Sequence, residues 1–248
     1  MRENILITGA SSGLGAGMAR EFAQRGRNLA LCARRIDRLE ALRNELQVRH
    51  PAIRVSIRPL DVNDTEAVSR TFDEFRRELG GLDRIIVNAG VGPGARVGTG
   101  SAEHNIRIAQ TNFVAALAQC EAAIEIFREQ NRGHLVTIVS MSAMRGLPRR
   151  LTVYGAAKAG LAALTEGIRA ELLSTPIRVS AIFPGYIRTE MLSDSRRLPF
   201  EVDEVTGSRA MVAAIERESA SATIPGWPWR VIGLAMRNLP LRVVARMS

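Results

Sequence analysis

Asn4-Ile5-Leu6-Ile7-Thr8-Gly9-Ala10-Ser11-Ser12-Gly13-Leu14-Gly15 runs from a short aliphatic segment into a glycine-rich turn, and residues 15–25 follow with the apolar spacing of an amphipathic helix. A strand that opens through such a turn into a helix begins a β-α-β unit. Gly9, Gly13 and Gly15 allow a tight turn, a close backbone approach to a ligand, and close packing of helix on strand. The free N–H groups of the helix's first turn, with the positive end of its dipole, suit a pyrophosphate. The spacing is G-x-x-x-G-x-G rather than G-x-G-x-x-G, and glycines alone also serve plain turns. Their place between first strand and first helix selects dinucleotide binding. Gly9, Ser11, Ser12, Gly13, Leu14 and Gly15 are therefore expected at the cofactor.

Outward from this unit the same pattern repeats. Residues 5–8, 29–32, 53–57, 84–87, 135–139 and 177–182 are short aliphatic or β-branched runs, as in strands covered on both faces. Amphipathic stretches at 15–25, 37–49, 64–79, 102–130 and 154–173 separate them, with Asp37 and Asp64 as expected N-terminal caps. Strict alternation predicts right-handed crossovers and a doubly wound, parallel α/β sheet. After Thr189 the alternation gives way to a loop, a helix over 201–218, and a tail containing Pro and Trp. The expected organisation is one domain over residues 1–225 with a basic, amphipathic helical tail over 226–248.

At 248 residues and 46% apolar composition, the chain can fill one large core. Cys32 and Cys120 sit in apolar stretches with no metal-ligand or disulfide spacing, which points to a reducing, cytoplasmic setting and no metal site. No apolar run approaches the ~18 residues of a membrane span. The formal charge of +9 raises nucleic acid as a partner, but the arginines are scattered and aromatic residues are only 4%. Nucleic-acid binding is therefore not expected.

Two further stretches carry chemistry. Leu31-Cys32-Ala33-Arg34-Arg35 ends the second strand, where an NAD site places an acid to accept from the ribose 2′-OH. Ala33 supplies none, and a guanidinium such as Arg34 grips a 2′-phosphate. NADP(H) is expected over NAD(H), with Arg34 and Arg35 at the site; an ordinary surface role for Arg34 is the alternative. Tyr154-Gly155-Ala156-Ala157-Lys158 puts a phenol and an ammonium on one helical face. It pairs the sequence's only lysine with one of its two tyrosines. A phenol near pKa ~10 needs about 4 kcal/mol to reach neutrality. An adjacent cation lowers a pKa by ~1–3 units, so Lys158 is expected to depress Tyr154.

With these stretches in hand, the chain resembles the short-chain dehydrogenases/reductases, a family on the Rossmann fold. Thr8 to Gly15, Leu60-Asp61-Val62, Asn88-Ala89-Gly90, Asn112, a serine before Tyr154, Tyr154 with Lys158, and Pro184-Gly185-Tyr186-Ile187-Arg188-Thr189 follow the family's motif order over roughly residues 4–190. The resemblance implies that Tyr154 exchanges the proton with substrate oxygen, that Lys158 holds the nicotinamide ribose, and that Asn112 holds a water leading to Lys158. It implies Asp61 and Val62 at the adenine, Asn88, Ala89 and Gly90 along the cofactor, and Pro184, Gly185, Ile187 and Thr189 over the nicotinamide. The serine departs from the pattern: Met141 stands thirteen residues before Tyr154, with Ser140 and Ser142 on either side. Ser140, at the strand's carboxyl end, is expected as the catalytic serine; Ser142 is the alternative, or else touches substrate.

The expected activity is an NADP(H)-dependent oxidoreductase moving a hydride between nicotinamide and a small-molecule carbonyl or secondary alcohol. A non-catalytic, cofactor-bound regulatory or scaffolding protein on the same fold is the alternative. Met141, Met144, Leu147, Pro148, Met191 and Leu192 fall on segments expected to border the pocket, suggesting a lipophilic substrate; packing in the core is the other use of such residues. The resemblance implies a homodimer or homotetramer. In the tail, Ile232, Met236, Leu239 and Val243 form an apolar stripe, with Pro240 dividing two short helices. The stripe is expected to pack on the core, lid the pocket or meet another subunit. A peripheral membrane contact through Trp227, Trp229 and the arginines is the alternative.

Overall fold

The computed structural model describes residues 2–190 and 198–246. Seven parallel strands form one sheet in the order β3-β2-β1-β4-β5-β6-β7. The strands are β1 (Asn4–Thr8), β2 (Asn28–Ala33), β3 (Val55–Pro59), β4 (Arg84–Val87), β5 (Gly133–Ile138), β6 (Ile177–Pro184) and β7 (Ser221–Ile224). The chain runs outward from β1 to β3, then crosses back to β4 beside β1. That reversal opens a crevice at the carboxyl ends of β1 and β4, where ligands of open α/β sheets bind.

Helices cover both faces because the strands are apolar on both. On one face α1 (Gly13–Gln24), α2 (Ile36–Arg49) and α7 (Glu204–Glu216) bury Phe22, Leu39 and Met211 against Ile5, Ile7 and Leu29. On the other α3 (Thr65–Leu79), α5 (Ala115–Gln130) and α6 (Thr152–Glu171) bury Phe72, Phe75, Phe127 and Leu161 against Leu6, Ile85 and Leu135. Asp64 caps α3, its carboxylate accepting from Ala67 N at 3.0 Å.

Four local readings are corrected. Asp37 does not cap α2: Arg35 holds that position and Asp37 lies inside the first turn, where the helix dipole favours an acid. The third strand begins at Val55 rather than at Ile53. The amphipathic stretch 102–130 is not one helix but α4 (Ala102–Ala109), a π-helical turn (Gln110–Val114) and α5. β7 was absent from the expected strands: Ser-Ala-Thr-Ile has no aliphatic run, since an edge strand is buried less. The tail forms α8 (Trp229–Asn238) and α9 (Leu241–Val244), divided at Pro240, and packs Trp229, Met236 and Val244 into the body.

Candidate active site

The carboxyl ends of the central strands and the loops beyond them enclose a cavity of about 390 Å³. Every described residue expected to bind the cofactor or take part in catalysis lines it, as does Ser142; Met191 and Leu192 lie outside the described residues.

At the glycine-rich turn, a Cβ on Gly15 would stand 2.3 Å from Gly9 O and 2.8 Å from Asn88 Nδ2, so only glycine lets α1 start this close to the strand ends. Asn88 fixes the turn, donating Nδ2 to Thr8 O at 2.8 Å. Ser12 occupies the N-cap of α1, but its side chain does not cap the helix, leaving the first-turn N–H groups to a ligand. Across the cavity, Thr189 Cβ is 3.3 Å from where a Cβ of Gly13 would stand, so the turn after β6 meets the start of α1.

Beyond the end of β2 the rim is cationic. Ala33 is buried, and Arg34 is exposed with no ion pair among the described residues. Arg35 donates Nη2 to Ser12 Oγ at 2.7 Å and to Ser11 Oγ at 3.2 Å. Glu190 lies between Arg38, 2.7 Å away, and Arg35, 3.5 Å away, and Arg38 above all holds its carboxyl below the usual range. Asp61 accepts from Asn63 N and Nδ2 at 3.0 and 2.9 Å, so it shapes a turn while also facing the cavity. Arg38 and Glu190 were not expected here. Glu190 immediately follows the 184–189 motif, which was the available signal.

At the opposite end, Ser140 follows β5 and lines the cavity together with Tyr154, whose phenol it holds down against the effect of burial. The Ser140 Oγ accepts from Ser142 N at 3.1 Å, so Ser142 braces Ser140 through its backbone. Lys158 is 4% exposed and donates Nζ to Ile138 O at 2.9 Å, its one protein acceptor among the described residues. Asn112 sits in the π-helical turn, fully buried; it donates Nδ2 to Val91 O and Ile108 O and accepts from Val91 N. It is no surface amide. It ties the loop after β4 to the helix beneath.

Burial pushes the Tyr154 phenol up, with Ser140 opposing, and pushes Lys158 down to about 8. In the chain by itself burial, and not Lys158, sets the direction of the Tyr154 shift. Both groups are desolvated, and the ammonium is directed at a backbone carbonyl.

The remaining wall is apolar. Met141, Leu147, Leu151, Tyr186, Trp229 and Met236 line it, whereas Met144 and Pro148 do not. Trp229 meets Tyr186 edge-on at 4.9 Å between ring centroids. A Cβ on Gly185 would lie 2.3 Å from the indole Cε2, so the glycine after Pro184 is what lets α8 close on the site. Lidding the pocket was one of the uses expected of the tail's stripe, and Met236 has it; Trp229, which was expected only in the membrane alternative, was not expected on the wall.

The sequence matches the short chain dehydrogenase family over residues 3–198. This protein is a short-chain dehydrogenase. As such it is an oxidoreductase that binds a nicotinamide cofactor and acts on small molecules. An uncharacterized oxidoreductase of Mycobacterium tuberculosis is 50% identical over 247 residues, 100% of this chain and 98% of that one. The short-chain dehydrogenase from Sphingobium yanoikuyae, solved in complex with NADPH, superposes with a TM-score of 0.83 at 28% identity, covering 96% of each chain. An NAD+-bound xylitol dehydrogenase shares the fold with a TM-score of 0.79 at 23% identity, over 89% of this chain and 96% of that one. Both cofactors occur among these neighbours, so the choice between them rests on this chain's own residues.

Proposed function

We propose that this short-chain dehydrogenase is an NADP(H)-dependent reductase of apolar ketones or aldehydes, with Tyr154 as general acid and, in the reverse direction, general base. The observation that carries the reading is the convergence of Ser140, Tyr154 and a buried Lys158 on one cavity that is glycine-rich at one end and apolar at the other. The residues present fit a dinucleotide. The uncapped start of α1 suits a pyrophosphate, and Lys158 has donors beyond the one Ile138 O takes up. When bound, the reduced nicotinamide supplies the hydride that reaches the carbonyl carbon.

The protein's own groups handle the proton. Tyr154 gives its phenolic proton to the substrate oxygen as negative charge develops there. Ser140, on the same wall of the cavity as the phenol, orients it and the substrate oxygen together. Lys158 holds the nicotinamide ribose and balances the phenolate left behind. Asn112, its amide committed to Val91 and Ile108, keeps the loop after β4 in register with these groups. For the cofactor's adenosine end, Ala33 offers no carboxylate, and Arg34, Arg35 and Arg38 offer cations to a 2′-phosphate. The apolar wall of Met141, Leu147, Leu151, Trp229 and Met236 favours a hydrophobic substrate.

A panel of ketones and aldehydes assayed with NADPH and with NADH tests this. Turnover should favour NADPH, and Tyr154→Phe should lower it by about 10²–10⁴-fold while leaving NADPH binding intact. Ser140→Ala should cost more than Ser142→Ala. Near-normal turnover in Tyr154→Phe would overturn the mechanism, and equal or tighter NADH binding would overturn the cofactor choice.

A further inference from the structure

The apolar stripe expected in the tail includes Ile232 and Met236, and α8 turns these inward with Trp229 and Gly233. The opposite side of the helix is apolar as well. Val231 and Leu234, three residues apart and so on one side, are 54% and 66% exposed. Trp227 and Leu241, flanking the helix in the chain, are 77% and 67% exposed. Scattered surface apolar residues are ordinary, but four on one short segment, including an uncovered indole, call for a partner.

The charges around them say which kind. No Asp or Glu follows Glu218 in the sequence. Arg230, Arg242 and Arg246 are exposed, and none has an ion pair or side-chain hydrogen bond among the described residues. Many arginines elsewhere are matched to carboxylates, as Arg20 is to Glu45, Arg58 to Glu74 and Glu78, and Arg76 to Glu129, whereas the tail has no carboxylate to offer its own. Two copies of this face joined symmetrically would set arginine against arginine with no acid between them. A surface that accepts apolar side chains at shallow depth and presents anions just above them satisfies both halves of the pattern.

We propose that the outer face of α8, with Trp227, Leu241 and the three unpaired arginines, docks on an anionic lipid bilayer. Val231 and Leu234 enter the headgroup boundary, Trp227 lies at headgroup depth, and the guanidiniums meet lipid phosphates. The proposal does not depend on the reaction assigned above. Docking nevertheless sets the tail wall of the cavity, through Trp229 and Met236 on the other side of α8, next to the bilayer.

Co-sedimentation of the full chain with vesicles tests it. The protein should bind vesicles of phosphatidylglycerol mixed with phosphatidylcholine at low ionic strength, release from them at high salt, and ignore pure phosphatidylcholine. Each arginine contributes about fivefold in partitioning, the equivalent of about 1 kcal/mol, so Arg230→Gln, Arg242→Gln and Arg246→Gln together should weaken binding by about 100-fold. Leu234→Ser and Trp227→Ser should weaken it too, whereas Arg70→Gln on α3 should not. All these side chains are exposed, so melting temperatures near wild type would show the variants folded. No sedimentation of the intact protein, or equal binding by the triple variant, overturns the proposal. So does a dimer that Leu234→Ser dissociates in the absence of vesicle binding, since a second copy would then cover the face.

Discussion

At the rim beyond β2 the chain already holds an anion of its own, the Glu190 carboxylate between Arg38 and Arg35. A 2′-phosphate bound by the same guanidiniums must displace it. Glu190→Gln is therefore expected to tighten NADPH binding about two- to fivefold and leave NADH unchanged, as read by fluorescence titration. Weaker NADPH binding in the variant would make Glu190 a partner of the cofactor rather than its competitor. At the other end of the cavity, Lys158 loses its proton near 8 instead of near 10.5 because it is buried. Its ammonium is present below about 8 and lost above, so NADPH affinity of the free protein should fall as pH rises through that value. Lys158→Met should bind NADPH more weakly at every pH and show no such limb; an unchanged limb would assign it to another group. Much at this scale was legible. Both serines named before Tyr154 line the cavity, Ser140 being preferred because such sites form at a strand's carboxyl end, and the absent acid at Ala33 is a plain fact of sequence. The direction of the Tyr154 shift was not legible, since burial is set by chain segments far from residue 154.

At the scale of elements, the contact between Gly185 and α8 decides how the site is closed. Adding a methyl group at Gly185 drives it into the Trp229 indole, and neither the turn after β6 nor a buried ring yields cheaply. Gly185→Ala should lower unfolding stability by about 1–3 kcal/mol. Trp229→Leu in the same chain should recover part of that loss, giving a coupling energy in a double-mutant cycle. Additive costs would mean that the collision is relieved by backbone movement alone. The same elements show why sequence periodicity reached some structure and missed the rest. Strands between two helical layers are apolar throughout, so β1, β2, β4, β5 and β6 announce themselves, whereas β7 at the edge does not. A π-helical turn adds residues to one turn without ending the amphipathic pattern, which hid the break that carries Asn112. Asp64 and Asp37 look alike in sequence. Only Asp64 has a free N–H at the right distance, because helix starts are fixed to within a residue by packing.

Across the whole molecule, the end of the sheet away from the cavity holds a buried charge network that should set stability in mild acid. Arg84, 1% exposed at the start of β4, donates Nε to His134 Nδ1 at 2.9 Å and Nη1 to Glu216 at 2.9 Å, while Arg2 reaches Glu218 at 2.8 Å. A guanidinium N–H only donates, so Nδ1 must accept and the His134 ring proton sits on Nε2, shared with Ser180 Oγ at 2.8 Å. Burial first, then the positive charges of Arg84, Arg2 and Arg178, push His134 well below its ordinary 6.5. The unfolded chain therefore binds a proton that the folded chain refuses. Stability from this residue is complete above 6.5 and is lost as pH falls below it, by at most about 1.4 kcal/mol per pH unit. Lys158 does not blur the window, because its linkage changes stability only between about 8 and 10.5. Carboxylates such as Glu45, held low by Arg20, act below 4.5. Melting temperature should accordingly fall between pH 6.5 and about pH 5 in the wild type. His134→Gln keeps an acceptor for Arg84 and a donor for Ser180 but cannot titrate, so its melting temperature should be nearly flat over that window. A variant that follows the wild-type slope would place the acid sensitivity elsewhere in the molecule.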